Sequence, residues 1–466
     1  MAVSHLALAA VLAFQAQGER VVTPVPSELP APTRDPLAID AEADPILNLA
    51  RGSVSSADFL PLVRQAVERH PQIEEAVAGI SEAEAARDEA EAGYLPRIQT
   101  SIAGQQTIAR EFNTEGLANI IERSRPARRI DFSASLEQTV FDWGATSARI
   151  TAAGARLRAA SLEAEAVADN VALRAIAAWY DVFAYRSLVM LGSAFSENQQ
   201  ELRNAVQIRI DQGVSAPGDL PRVESYIASS TTDIARFRRL AANAEARFEE
   251  FFGTAPPPNL ARAPALGLAP VSKEMAQLLA RATAPVESAE AIARAARQDA
   301  RAQRAQTLPN VTAGIDAGKF GIEDIDYDVR GRLTVTQRFL GGAGARVNQA
   351  EARAEGSSAR ALRVRSEAER DAAVAWADVQ ALEEQLAALE SSYIASRQSR
   401  DVLAERFRVA RGTLFDLLET ESAYFNVAAT YIRTVTELDA ARYILLSRTG
   451  RLLDTLAIEP PTLERP

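Results

Sequence analysis

The sequence predicts a mainly α-helical protein with a smaller β portion directed to a membrane, built as two similar copies. Three observations predict it. First, short motifs recur in the same order about 200 residues apart. Gly93-Tyr94-Leu95-Pro96-Arg97-Ile98 returns as Gln306-Thr307-Leu308-Pro309-Asn310-Val311, Ala178-Trp179-Tyr180-Asp181-Val182 as Ala375-Trp376-Ala377-Asp378-Val379, and Asp219-Leu220 with Glu224-Ser225 as Asp416-Leu417 with Glu421-Ser422. Repetition on this scale reports architecture before any single residue does. Second, two stretches, about 145–212 and 343–411, contain no proline. A continuous helix of that size is ~100 Å long at 1.5 Å per residue, far beyond the ~11–12 residues of an average globular helix. Such helices must pack along their length like coiled coils. Third, runs with a period of two precede each long stretch, the mark of strands with two unlike faces.

Each copy therefore reads helix, two strands, very long helix, tight turn, helix. In the first copy a short helix over about 57–69 stops at His70-Pro71, because the residue before proline is pushed out of the helical region. A second helix over about 72–92 ends at Gly93, and Pro96 opens an extended segment. Ile98, Thr100 and Ile102 then alternate with Gln99, Ser101 and Ala103, and Ile130, Phe132, Ala134, Leu136 and Val140 make a second series. The second copy has helices at about 274–283 and 286–305. Its strands carry Val311, Ala313, Ile315 and Ala317, then Val329, Gly331, Leu333, Val335 and Phe339. Each run is ~10 residues, the length of a tilted membrane strand. The connecting loops, about 111–128 and 319–328, are polar. Alanine crowds the first halves of the long helices (Ala152, Ala153, Ala155, Ala159 and Ala160; Ala350, Ala352, Ala354, Ala359 and Ala361), which lets neighbours approach closely. Larger residues, from Val167 to Leu191, make an apolar seam further on. Trp179 and Trp376 read as packing anchors of the helical wall.

Composition narrows the function. The 466 residues carry a net charge of −11, so nucleic acid is not an expected partner. There is no cysteine, which removes disulfides, thiolate metal sites and a lipidated N-terminal cysteine. His5 and His70 do not suggest a metal site. Gly341-Gly342-Ala343-Gly344 lacks the Lys-Ser/Thr of a phosphate loop, and no nucleophile elbow appears. No catalytic residue, cofactor or metal is expected, and the chain does not read as an enzyme. Residues 6–14 form a short apolar run, so residues 1–18 read as a secretory signal. The expected organisation is a Pro-rich flexible leader at 19–56, a first repeat at 57–253, a Pro-rich linker at 254–270, a second repeat at 271–454 and a tail at 455–466.

The pattern resembles the outer-membrane factor family, the TolC-like exit ducts of efflux pumps and type I secretion systems, from about residue 57 to 453. The resemblance is carried by Gly93-Tyr94-Leu95-Pro96, by the strand-to-helix exits Gln138-Thr139-Val140-Phe141-Asp142-Trp143-Gly144 and Gln337-Arg338-Phe339-Leu340-Gly341-Gly342, and by the turn Gly412-Thr413-Leu414-Phe415-Asp416-Leu417-Leu418-Glu419. It implies a homotrimer in the Gram-negative outer membrane. Each protomer would give four strands to a shared twelve-stranded barrel in outer-membrane lipid, and long antiparallel helices would form a periplasmic tunnel. The implied partners are a periplasmic adaptor protein and an inner-membrane ABC or proton-driven transporter. Arg69-His70-Pro71-Gln72-Ile73 and the second turn look closer to the type I protein-secretion branch than to drug or small-molecule efflux. A soluble coiled-coil scaffold is the rival from another class.

The resemblance also implies site residues. Asp219, Asp416 and Glu419, just after the tip turns, would face the lumen as rings of three carboxylates that gate the channel and select cations. The alternative is helix capping: Asp219 sits where an N-cap belongs, and Asp416 with Glu419 reads as an Asp variant of a capping box. The tips Gly213-Val214-Ser215 and Gly412-Thr413-Leu414 match the family's adaptor-docking turns, whose alternative is turn chemistry with glycine required by the backbone. Counted from Gly213 and Gly412, the second turn is two residues shorter before its Asp. The tips are therefore expected to be where the two copies differ most.

Overall fold

The computed structural model describes residues 40–49, 51–109, 128–264, 272–318, 327–337 and 341–462. The expected signal segment, the leader up to residue 39, most of both strand-connecting loops, the linker beyond 264, motif residues 338–340 and the last four residues of the tail lie outside them. The elements run α1 (Pro45–Asn48), α2 (Ser56–Glu68), α3 (Pro71–Glu91), β1 (Arg97–Gln106), β2 (Arg128–Phe141), α4 (Ala145–Asp211), α5 (Asp219–Phe252), α6 (Lys273–Ala280), α7 (Ala284–Ala305), β3 (Asn310–Gly318), β4 (Asp328–Thr336), α8 (Ala343–Arg408), α9 (Leu414–Arg448) and α10 (Leu452–Leu456). The two proline-free stretches are helices of 67 and 66 residues. Among the described residues no helix is long and apolar enough to cross a membrane.

Two compact bodies cut across the repeats. One gathers residues up to Pro71 with Ala168–Ala280 and Glu369–Glu459; the other holds Gln72–Val167 with Arg281–Ala368.

The second body contains the strands, which form one antiparallel sheet in the order β1-β2-β3-β4. Register places Ile98 opposite Leu136, Ile102 opposite Phe132, Leu136 opposite Ile315 and Ala313 opposite Leu333. Residues directly opposite share a face, so the apolar residues of all four strands lie on one side. The other side carries Ser101, Ser133, Ser135, Glu137, Asp316 and Arg332; the two serine hydroxyls are 2.8 Å apart and Arg332 lies 3.6 Å from Asp316. A bulge between Thr139 and Phe141 ends the regular pairing of β2.

The exit from β2 into α4 is a built corner. Trp143 and Gly144 both have positive φ, 56° and 80°. That conformation costs a non-glycine residue ~1–2 kcal/mol, and Trp143 is held there by donating from Nε1 to the Pro309 carbonyl at 2.8 Å. Asp142 accepts from the backbone N–H groups of Gly144 (3.0 Å) and Thr146 (2.7 Å) and from the Thr146 hydroxyl (2.6 Å). Burial works against its charge, but these donors outweigh it and hold the carboxyl below the usual aspartate range. The second exit repeats the geometry with Gly341 and Gly342 at φ 71° and 78°. Below the corners α4 packs on α7 through small residues: Ser288 donates to the Ala159 carbonyl at 3.3 Å, and Arg158 pairs with Glu287. Ala300 meets Ala350 and Ala354 where α7 meets α8. The alanine-rich halves thus do what their composition predicts.

The first body is helical, with an aromatic core. Trp179 is buried and meets Phe59 edge-on at 5.2 Å and Phe248 at 5.6 Å; Trp376 is half-buried. His70 stacks on Phe251, which gives the His-Pro motif a local packing role. The Pro-rich linker is strapped down over its described part. Trp179 Nε1 donates to the Ala261 carbonyl (2.9 Å), Arg186 to the Pro257 carbonyl (2.6 Å) and the Tyr443 hydroxyl to the Pro264 carbonyl (3.0 Å), while Arg262 makes a buried bidentate pair with Asp439. The leader is not coreless after residue 40. Ile46 and Leu47 are buried, and Asp44 is buried beneath Tyr393 and Arg397, both of which donate to its Oδ2. Local composition reads as flexible; distant side chains supply the partners.

A buried pair broken on one side leaves an uncompensated charge, at a cost of ~3–5 kcal/mol. Asp439→Ala should therefore lower stability by that order in denaturant melts. Removing Glu367, which pairs with Arg363 on an exposed helix face, should cost under ~1 kcal/mol. Equal losses would mean that the strap is not a principal tie.

Candidate functional site

Two features of the structure bear on function: the amphipathic sheet and the paired helical tips. On the apolar face of the sheet Ile102 is 75% exposed, Leu333 71% and Phe132 56%. Contiguous apolar exposure of this kind is foreign to a soluble surface. Among the described residues the outer edges of β1 and β4 have no partner strand.

At the tips, both hairpins close on one small core: Val206 of α4, Val223 of α5, Phe407 of α8, and Leu414, Leu417 and Leu418 of α9. Arg209 of α4 ties them. Its guanidinium donates to the Phe407 carbonyl at 2.8 Å and lies 4.4 Å over the Phe407 ring. Arg222 of α5 lies 5.3 Å over the Phe415 ring. Neither arginine was picked out by the sequence reading.

The turns themselves correct the expected asymmetry. In the first, Gly213 has φ 72°, its N–H donates to the Ile210 carbonyl, and the Val214 N–H donates to the Arg209 carbonyl at 2.8 Å. In the second, the residue with positive φ is Ala410, at 58°; its N–H donates to the Phe407 carbonyl, and the Arg411 N–H to the Arg406 carbonyl at 2.9 Å. Ala410, not Gly412, is the counterpart of Gly213. Counted from these residues, Asp219 and Asp416 each lie six positions on, and the two turns have one length. Gly412 is needed for closeness rather than for φ: a Cβ there would sit 3.1 Å from the Phe407 nitrogen and 3.2 Å from Arg406 Cβ.

The acidic residues are corrected in part. Asp219 is the first residue of α5; Gly218 is the N-cap and no side chain bonds the cap. Asp219 is half-buried and favourably placed near the positive helix end. The second cap is Thr413, whose hydroxyl accepts from the Asp416 N–H at 3.1 Å. The capping pair is therefore Thr413 with Asp416, not Asp416 with Glu419. Asp416 and Glu419 are both exposed, as are Val214, Phe415 and Thr413, while Leu414 is buried in the tip core. Among the described residues no group of three or more His, Cys, Asp or Glu could hold a metal ion.

A family model described as outer membrane efflux protein matches residues 62–254. The curated outer membrane efflux protein BepC of Brucella suis biovar 1 (strain 1330) is 23% identical over 378 residues, covering 78% of each chain. Both matches point to outer membrane efflux proteins. Solved structures carry the same fold. The outer-membrane channel OprN matches with a TM-score of 0.73 at 18% identity, covering 84% of this chain and 89% of its own. The outer membrane protein VceC from Vibrio cholerae matches with 0.73 at 17%, covering 84% and 96%. These likenesses show the fold that the chain shares with solved outer-membrane channels.

The tip geometry makes a paired prediction. Gly213→Ala places a side chain in the left-handed region and should loosen the first turn by ~1–2 kcal/mol, whereas Ala410→Gly relieves that cost in the second. Amide hydrogen exchange at the two turns should move in opposite directions. Equal loosening by both substitutions would contradict the equivalence.

Proposed function

We propose that this chain is an outer-membrane efflux channel, that three copies assemble so that each gives four strands to one twelve-stranded barrel, and that the trimer is the outer-membrane exit of a tripartite pump for small molecules. The observation that carries this reading is the sheet, with its continuous apolar face and two unpaired edges. Backbone groups cannot stay unpaired in hydrocarbon, and four strands cannot close on themselves. Neighbouring copies supply the missing edges. The helices then continue the passage in the periplasm, and the tips meet a periplasmic adaptor and, through it, an inner-membrane ABC or proton-driven transporter.

Small-molecule export is preferred to type I protein secretion on two grounds. The relative BepC is named for efflux. The residues that pointed to secretion have local roles: His70 packs on Phe251, and Gly412 fits a close approach at the tip. Asp219, Asp416 and Glu419 act as threefold rings that favour cations and disfavour anions at the periplasmic end. Exposed Val214 and Thr413 and half-buried Ser215, with Gly213 and Gly412 shaping the turns, form the adaptor-docking surface.

Two experiments test these assignments. In planar bilayers the purified protein should give small, cation-preferring currents, and Asp219→Asn with Asp416→Asn and Glu419→Gln should reduce that preference; unchanged selectivity would remove the acidic rings from the gate. On the sheet, Leu333→Arg puts a charge on the lipid face at a cost of ~2–4 kcal/mol and should abolish outer-membrane assembly. Thr334→Arg, on the face that already holds Arg332, should assemble normally. The reverse pattern would invert the proposed faces.

A further inference from the structure

The duplication exposes a difference in ionic pairing between the copies. Trp179 and Trp376, and likewise Asp219 and Asp416, set one register, and in that register Arg203, Asn204 and Glu224 correspond to Arg400, Asp401 and Glu421. In the first copy Arg203 of α4 bonds Glu224 of α5 with Nε at 3.2 Å and Nη2 at 3.0 Å, across a largely exposed helix pair. Asn204 is exposed and uncharged. In the second copy Asp401 stands in place of that asparagine, and it takes the arginine. Arg400 gives both Nε (2.8 Å) and Nη2 (2.6 Å) to Asp401 Oδ1, with both residues buried. Glu421 of α9 is left with Oε2 closed off from solvent and without a hydrogen-bond partner.

We propose that Arg400, Asp401 and Glu421 form a proton-binding site that controls how tightly α9 holds α8 near the second tip. One guanidinium faces two carboxylates. With a proton on Glu421 the site is neutral overall, and the observed Arg400–Asp401 pair is satisfied. Loss of that proton leaves a second anion with one oxygen closed off from solvent, which draws Arg400 towards Glu421, the arrangement the first copy adopts. In its present geometry Arg400 bonds Asp401 and makes no hydrogen bond to Glu421, so the switch must move the guanidinium and disturb the packing between α8 and α9. Burial pushes the Glu421 carboxyl above its ordinary range; Arg400 draws it down and Asp401 pushes it up again.

Arg400 lies 4.5 Å over the Tyr424 ring of α9, Tyr424 shares a hydrogen bond with Tyr393, and Arg397 is paired with Asp44. In the neighbouring cleft, which includes Ser422, α4 and α5 present the neutral Gln199, Ser225 and Ser229, and Asp233 there pairs with Arg236. The sign follows from the raised carboxyl: the stability it contributes is full at acid pH and is lost as pH rises through its folded-state value.

The test is hydrogen exchange by mass spectrometry on the full-length protein in detergent, between about pH 5 and pH 8, corrected for the intrinsic chemical rate. The start of α9 is read against the start of α5 as the internal control. In the unsubstituted protein, exchange at the start of α9 should rise with pH by about tenfold, while the start of α5 stays flat. Glu421→Gln keeps the neutral shape, and Asp401→Asn restores the first copy's pairing; each should reduce the rise below about twofold. A rise that persists in Glu421→Gln overturns the site. A rise lost in Glu421→Gln but kept in Asp401→Asn overturns the competition for Arg400.

Discussion

A strand edge in hydrocarbon must find a partner, and this constraint governs the rest of the structure. The chain builds a sheet with one apolar face and leaves two edges open, which is unstable in lipid as a single copy. The features around the sheet serve to aim and hold it. The corner at Trp143 and Gly144 accepts backbone strain, offset by hydrogen bonds to Pro309 and from the donors around Asp142. The repetition of that corner at Gly341 and Gly342 hands both strand pairs to long helices in the same way.

The helical body solves a different problem. Helices of 67 and 66 residues gain little fixed position from propensity alone, so their relation must come from ties between them. The strapped linker and the anchored leader supply such ties where the aromatic core is. Arg209 supplies one where the tips meet. The turns share a backbone but not a residue at the left-handed position, so the copies differ in strain rather than in length. The larger difference between copies is electrostatic: a substitution equivalent to Asn204→Asp moves an arginine from its partner helix to its own neighbour.

Much of this was legible in the sequence. Alternation at Ile98, Thr100 and Ile102 and at Leu333 and Val335 located the strands and their unlike faces, because period two has one structural meaning. The absence of proline located α4 and α8. The tips were misread because glycine was taken as the sign of a left-handed residue, and Ala410 gives no such sign. The register carried by the tryptophans would have identified it. The leader's core and the linker's ties are not legible in the sequence, because Pro-rich composition reports only local backbone preference. Their anchors, Trp179, Tyr443 and Tyr393, come from far along the chain. Of the site residues, Asp416 and Glu419 are exposed near the tip. The capping role belongs to Thr413 because its hydroxyl, rather than a carboxylate, reaches the free N–H.

The most direct test of the account is covalent closure of the barrel. The chain has no cysteine, so a pair introduced with one member along β1 and one along β4 can report only on the designed edge. Oxidation of the membrane-embedded protein across a panel of such pairs should give, at the matching register, covalent dimers and trimers and nothing larger. Native mass spectrometry of the unmodified protein should give three chains. A monomer by mass, with no intermolecular crosslink at any register, would contradict closure by neighbouring copies.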